Sequence, residues 1–265
     1  MSGQPVALVT GGSSGIGLAT ARALAEKGLK VYEISRREAV NQGIVHLRAD
    51  VTDECSVNNA IAEILSREGR LDVLITSAGF GISGAVEFTP ETDAKKQLEV
   101  NFFGAVNAVH AVLPVMRGQG YGRIVCVSSV AGAIPIPFQT YYSVSKAAIN
   151  AFTTALRGEI RPYGVTACSV MPGDIKTGFT DARVKIHAGD EEYGGRISRS
   201  VAGMEKDEMG GMSPCVAGEY IAKIALKPRV RPLYSIGFQY KFFVWLARFL
   251  PSAFVSRIVG FMYAK

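Results

Sequence analysis

The sequence predicts an α/β protein built on one mainly parallel, doubly wound sheet with helices on both faces. Three observations predict it. Short apolar runs alternate with helix-like stretches along most of the chain. A glycine cluster, Thr10-Gly11-Gly12-Ser13-Ser14-Gly15-Ile16-Gly17, joins the first apolar run to the first helix-like stretch. No linker, internal repeat or low-complexity stretch divides the 265 residues, so a single Rossmann-type domain over 1–265 is expected.

The first element is the apolar run 6–10. After the glycine turn, Ile16, Ala19, Ala23 and Leu24 recur at helical spacing as far as Gly28. Further strands are predicted over 31–35, 44–49, 71–76, 123–128 and 165–170, with a last one over 232–236. Helices are predicted over 57–66, 92–116, 142–160 and 214–226, as the crossovers that parallel strands require. Segment 174–212 is polar, contains glycine and lacks a clear period, and it reads as a mobile substrate flap. From 238 the chain turns strongly apolar. Phe238, Phe242, Trp245, Leu246 and Phe249 repeat at helical spacing, Pro251 breaks the run, and Phe254, Ile258, Phe261 and Met262 resume it. Two short, apolar, basic helices over 238–265 follow.

Composition excludes several classes. Hydrophobic residues make up 48% and charged residues 20%, which suits a folded core and not a disordered chain. Cys55, Cys126, Cys168 and Cys215 are far apart and form no CxxC pair, so neither a metal site nor a disulfide framework is expected, and reduced thiols fit the cytoplasm. Segment 1–5 lacks the features of a signal peptide. Net charge is +6, yet no Asp or Glu follows Glu219 whereas eight Lys or Arg do. That localised excess is interleaved with aromatic side chains, which fits a membrane surface or an apolar interface and not nucleic acid.

The glycine cluster carries the first functional reading. Backbone amides of this turn can face a pyrophosphate at the positive end of the following helix, which makes Gly11, Ser13, Ser14, Gly15, Ile16 and Gly17 the candidate cofactor-binding residues. Gly11 permits the turn, Gly15 lets the backbone approach the phosphates, and Gly17 allows helix and sheet to pack closely. Asp50 and Val51 follow the strand over 44–49, where an adenine could be contacted, and Ser77-Ala78-Gly79 borders the same crevice. At the end of the second strand, a free ribose 2'-hydroxyl would call for a carboxylate. Ser35-Arg36-Arg37 stands there instead, and a guanidinium suits a 2'-phosphate. NADP(H) is therefore expected, with Arg36 its main selector, although Glu33 shares strand parity with Ser35 and could also face the adenosine.

Tyr142 and Lys146 stand four residues apart in a predicted helix, one turn apart on one face. An ammonium beside a phenol stabilises phenolate, so the spacing predicts a tyrosine pKa drawn from about 10 towards working pH. Hydride addition to a carbonyl builds negative charge on oxygen, which needs a hydrogen-bond donor and a proton. Ser129, at the carboxyl end of the strand over 123–128, is the expected donor, with Ser128 its competitor. Asn101, in the long preceding helix, could hold a water or carbonyl that relays protons to Lys146.

Together these residues resemble the short-chain dehydrogenase/reductase family: TGxxxGxG at Thr10–Gly17, Asn101, Ser129, Tyr142-xxx-Lys146, and Pro172-Gly173 with Thr177. The resemblance spans 6 to about 180. It implies that Tyr142 is the general acid/base, that Lys146 binds the nicotinamide ribose and tunes the phenol, and that Ser129 orients the carbonyl. It also implies that Asn101 completes a relay, and that Ile175 and Thr177 meet the nicotinamide carboxamide. Pro172 and Gly173 belong to the same implied cofactor wall, and a homodimer or homotetramer is implied as well. The family's usual Asn-Ala-Gly is Ser77-Ala78-Gly79 here, a departure expected to alter only local bonding.

The expected reaction interconverts a ketone and a secondary alcohol. The aromatic carboxyl-terminal segment points to a bulky hydrophobic substrate, steroid, fatty or related, whether that segment covers the cleft, packs on a second subunit or touches a membrane surface. Two other readings compete: a sugar-nucleotide epimerase or dehydratase, for which the chain is short, and a noncatalytic NADP(H)-binding sensor, for which the catalytic side chains would be dispensable.

Overall fold

All five residues of Val6–Thr10 (β1) are buried, and their alternation divides the protein into two halves. Val6 and Leu8 point into one apolar core and Ala7 and Val9 into another, one on each face of the sheet. The computed structural model describes residues 3–264. Met1 and Ser2 in the segment 1–5, and Lys265 in the segment 238–265, lie outside the described residues.

Gly15–Glu26 (α1), Lys30–Ser35 (β2), Ile44–Arg48 (β3), Glu54–Glu68 (α2) and Val73–Thr76 (β4) follow along the chain. α2 begins earlier than the periodicity predicts because Asp53 caps it, accepting a bond from the Cys55 amide at 3.0 Å. It ends on Gly69 in the left-handed conformation, φ 66°. After Ile82–Ser83 (β5), one continuous helical stretch runs as Glu91–Leu98 (α3), a π-helical turn Glu99–Phe103, and Gly104–Gln119 (α4). By length and composition this stretch could cross a membrane. Here Ala105, Ala108, Val109, Val112 and Met116 turn into the first core.

Gly122–Val127 (β6), Thr140–Ile160 (α5) and Val165–Met171 (β7) follow, then Phe179–Ala182 (α6), Val184–Lys185 (β8) and Arg196–Met209 (α7). Pro214–Ala225 (α8), Leu233–Ser235 (β9), Phe238–Leu246 (α9) and Ser252–Tyr263 (α10) end the chain. The seven-stranded sheet has the order β3-β2-β1-β4-β6-β7-β9, with every pair parallel. Strand order therefore reverses between β1 and β4, and the crevice for a ligand lies outside their carboxyl ends. α2, α4 and α5 cover one face; α1 and α8 cover the other.

The reading of 174–212 as irregular is corrected. α7 is a regular helix whose buried side chains Ile197, Ser200, Val201 and Met204 recur at helical spacing. With so many charged neighbours the period was hard to see. Pairing of β8 with β5, and ion pairs from Arg183 to Glu208 and Lys185 to Glu205, tie the segment to the body.

Candidate active site

The carboxyl ends of β1, β2, β4, β6 and β7 open into one cleft of about 1460 Å³. Its first end is the glycine turn. Gly11 (φ 67°) and Gly15 (φ 56°) both adopt the left-handed backbone that other side chains resist. A Cβ at Gly11 would lie 2.7 Å from the Ala78 Cα. At Gly17 it would lie 2.2 Å from the Gly11 carbonyl oxygen, so Gly17 lets the helix pack on its own turn and not, as expected, on the sheet. Ser14 stands at the α1 N-cap without a side-chain cap bond, and no acidic residue occupies the first turn. The unpaired amides of that turn are thus offered to an anion, as a pyrophosphate requires.

Around this turn the structure gathers Gly11, Ser13, Ser14, Gly15, Ile16, Gly17, Arg36, Asp50, Val51, Ala78 and Gly79 on the cleft wall. Thr10 secures the junction: its Oγ1 accepts from the amides of Ser77 (3.1 Å) and Ala78 (3.2 Å). Asp50 turns one oxygen to the Thr52 amide and hydroxyl. Arg36 and Arg37 are exposed at the rim, and neither makes an ion pair among the described residues. Glu33 does not face the cleft as its strand parity suggested. It is wholly buried beneath Gly12, paired with His46 and accepting from the Ser35 hydroxyl at 3.2 Å.

Midway along the cleft stand Ser129, Tyr142 and Lys146. β6 ends at Val127, and Ser129 caps a 3-10 turn, accepting from the Ala131 amide at 3.1 Å. Gly132 in that turn abuts α5 so closely that a Cβ would sit 2.6 Å from the Lys146 carbonyl carbon. This contact sets the Ser129 hydroxyl close enough to the Tyr142 phenol to lower its pKa. Ser128 is committed elsewhere, donating to the Lys146 carbonyl oxygen at 2.8 Å. Phe138, with φ 60°, holds a conformation rare for an aromatic residue just before α5 begins.

Lys146 Nζ lies 5.8 Å from the Tyr142 ring centroid and donates to the Val127 carbonyl at 3.0 Å. Burial lowers the Lys146 ammonium to about 8. Burial also pushes the Tyr142 phenol up to about 12, opposed chiefly by the Ser129 hydroxyl. The expected lowering of the phenol by Lys146 is therefore corrected. In this chain burial is the largest influence, with Glu208 and Asp174 raising the phenol further and Arg183 lowering it, and Tyr142 is protonated at neutral pH.

Asn101 is the one expected site residue that does not line the cleft. It sits behind it in the π-helical turn, accepting from the Phe80 amide (3.0 Å) and donating to the Phe80 carbonyl (2.9 Å) and Ser145 Oγ (3.1 Å). Its oxygen and the Lys146 ammonium flank Gly79, where a Cβ would lie 3.1 and 3.7 Å from them. Pro172, Gly173, Ile175 and Thr177 form the opposite wall.

Several cleft residues carried no motif. Phe179 lies 5.6 Å, ring to ring, from Tyr142. Tyr240 on α9 packs against Gly173, where a Cβ would meet its ring at 2.2 Å, and donates its hydroxyl to Asp174. Beyond it, Phe243, Leu246, Leu250, Val255 and Ile258 continue the wall as an apolar surface. Only the last part of this surface was visible beforehand, as helical periodicity without a stated facing.

The profile described as short chain dehydrogenase matches residues 5–187. A 3-ketodihydrosphingosine reductase of Bacteroides thetaiotaomicron is 42% identical over 245 residues, covering 89% of this chain and 91% of its own. A crystal structure of a short-chain dehydrogenase from Streptomyces avermitilis superposes with a TM-score of 0.83 at 28% identity, covering 97% and 96% of the two chains. ElxO with NADP bound superposes with a TM-score of 0.75 at 25% identity, covering 90% and 99%.

Proposed function

The chain belongs to the short chain dehydrogenase family, and from that premise we propose that it is an NADPH-dependent reductase of a long-chain, lipid-like ketone. Membership makes it an oxidoreductase of the alcohol–ketone pair that binds a nicotinamide cofactor. The observation that carries the finer reading is the continuity of the cleft. It runs from an anion-accepting glycine turn, past Ser129, Tyr142 and Lys146, to the apolar wall of α9 and α10.

When bound, a reduced nicotinamide supplies the hydride, and the chain supplies the proton. Tyr142 donates its phenolic proton to the substrate oxygen as negative charge builds there, while Ser129 Oγ donates a second hydrogen bond to that oxygen. Lys146 sets a positive charge behind the phenol and holds the ribose. Burial holds the phenol in its protonated form at neutral pH, so Tyr142 carries the proton that reduction consumes. Gly11–Gly17 hold the pyrophosphate, and Ile175 and Thr177 the carboxamide. Arg36 meets the 2'-phosphate, a role supported by its exposed place at the rim and by the NADP carried by ElxO.

The apolar wall and the activity named for the Bacteroides relative favour a 3-keto sphingoid base as the first substrate to try. Segment 174–212, anchored by α7, serves as the substrate flap, and the long helices α4 and α5 serve as the interface of a homodimer or homotetramer. NADPH consumption with a panel of long-chain and short, hydrophilic ketones tests the reading. Long-chain ketones should be preferred, and Tyr142→Phe should lower turnover by about 10²–10⁴-fold while NADPH still binds. Unchanged turnover in that variant, or equal use of hydrophilic sugars, would sink it.

A further inference from the structure

The helices that wall the cleft carry a second apolar face that the fold leaves outside. On α9 and the turn after it, Phe238, Phe242, Trp245 and Phe249 recur four, three and four residues apart, forming one stripe. Tyr240, Phe243 and Ala247 lie on the other side, lining the cleft. The outward rings touch in series: Phe242 to Trp245 at 6.2 Å between centroids, Trp245 to Phe249 at 5.1 Å. Trp245 is 55% exposed and Phe249 69%. Isolated apolar side chains on a surface are ordinary, but a contiguous aromatic patch marks something that covers it. On α10, Phe254 is exposed as well, away from the cleft.

Charge identifies the cover. Lys241, Arg248 and Arg257 are exposed within the same segment, and no carboxylate side chain occurs after Glu219. A second copy pairing through this face would set these cations against one another with no acid of the segment to pair them. A surface that is anionic at its skin and apolar just beneath satisfies both the cations and the rings. That is the structure of a lipid bilayer, at whose interface tryptophan and basic side chains collect.

We propose that α9 and α10 dock the protein on an anionic phospholipid membrane, lying in the plane of its surface with Trp245 at headgroup depth. At 9 and 12 residues, neither helix has the about 20 residues needed to span a bilayer. Because the inner sides of the same helices wall the cleft, docking sets its apolar end beside the lipid. Only that last consequence, delivery of a lipid ketone, rests on the proposed function.

Trp245 is the chain's sole tryptophan, so its fluorescence reports this face alone. Full-length protein should co-sediment with vesicles of phosphatidylcholine and phosphatidylglycerol, its emission moving to shorter wavelength, and less so as salt is raised. Binding to pure phosphatidylcholine should be at least about tenfold weaker, as should binding of the Arg248→Glu/Arg257→Glu variant to the anionic vesicles. Phe242→Ser/Phe249→Ser should lose the emission shift while keeping the thermal transition and NADPH consumption of the parent. Equal binding to both vesicle types would overturn the proposal. So would a concentration-dependent dimer that shields Trp245 without lipid, or an active protein that ignores anionic vesicles. A protein that binds vesicles but reduces no ketone would overturn the proposed function and leave the docking intact.

Discussion

At the scale of the residue, Lys146 shows what the site costs the fold. Its ammonium, only 6% exposed, has one carbonyl at 3.0 Å and a pKa lowered to about 8 by burial, against an ordinary 10.5. Between those two values the unfolded chain binds the proton more tightly than the folded one. Stability from this group therefore rises as pH climbs from about 8 to about 10.5, and the full penalty applies below 8. The gap corresponds to about 3 kcal/mol. Lys146→Met should thus gain stability relative to the parent at pH 7, and that relative advantage should shrink towards pH 10.5. Urea unfolding of both proteins across this range reads the difference, in which the shared tyrosines and cysteines cancel. A gap independent of pH would mean that Lys146 is not held at a cost. Spending stability on a buried charge is the usual bargain at a catalytic position.

At the scale of the element, what the sequence revealed and what it hid have separate physical causes. The strands were legible because parallel strands buried on both faces read as unbroken apolar runs, and β1 lies at 6–10 as expected. The glycine turn and the Tyr142–Lys146 pair were legible because their spacing is local. The facing of α9 was hidden because it depends on residues distant in sequence, the period of α7 because charged residues crowd it, and the contact of Gly17 because it depends on the backbone path of the turn. Gly132 is the sharpest case. It matched no motif, yet it is the point at which the Ser129 turn meets α5, with backbone atoms of Lys146 and Ala147 at 2.6–2.9 Å from a would-be Cβ. Backbone cannot swing aside as a side-chain tip can. Gly132→Ala should push the turn off the helix and move Ser129 away from Tyr142, lowering turnover by about 10²-fold. The cost in stability should be about 1–3 kcal/mol. NADPH affinity should hold, because the glycine turn lies at the other end of the cleft. Weakened NADPH binding with normal turnover would contradict this placement.

At the scale of the whole molecule, one sheet carries both apolar cores, and the cleft draws its walls from nearly every strand of that sheet. A cofactor bound there holds the two halves together, so occupancy should be felt as global stability and not as local stiffening. Ligand at about 100 times its Kd adds about 2.7 kcal/mol. For a domain of this size that corresponds to a rise in Tm of about 5–10 °C, through one transition. The rise also separates the two nicotinamide cofactors without any substrate. If Arg36 grips a 2'-phosphate, charge-assisted bonds worth about 1.5–3 kcal/mol are available to NADPH and absent for NADH. At equal concentrations NADPH should then raise the Tm of the parent protein well above the value with NADH. In Arg36→Ser the NADPH shift should fall to about that of NADH, while the NADH shift itself stays put, because Arg36 is exposed and bears no packing load. Equal shifts from both cofactors in the parent would remove Arg36 as selector, and loss of both shifts in the variant would make it a residue of the fold instead.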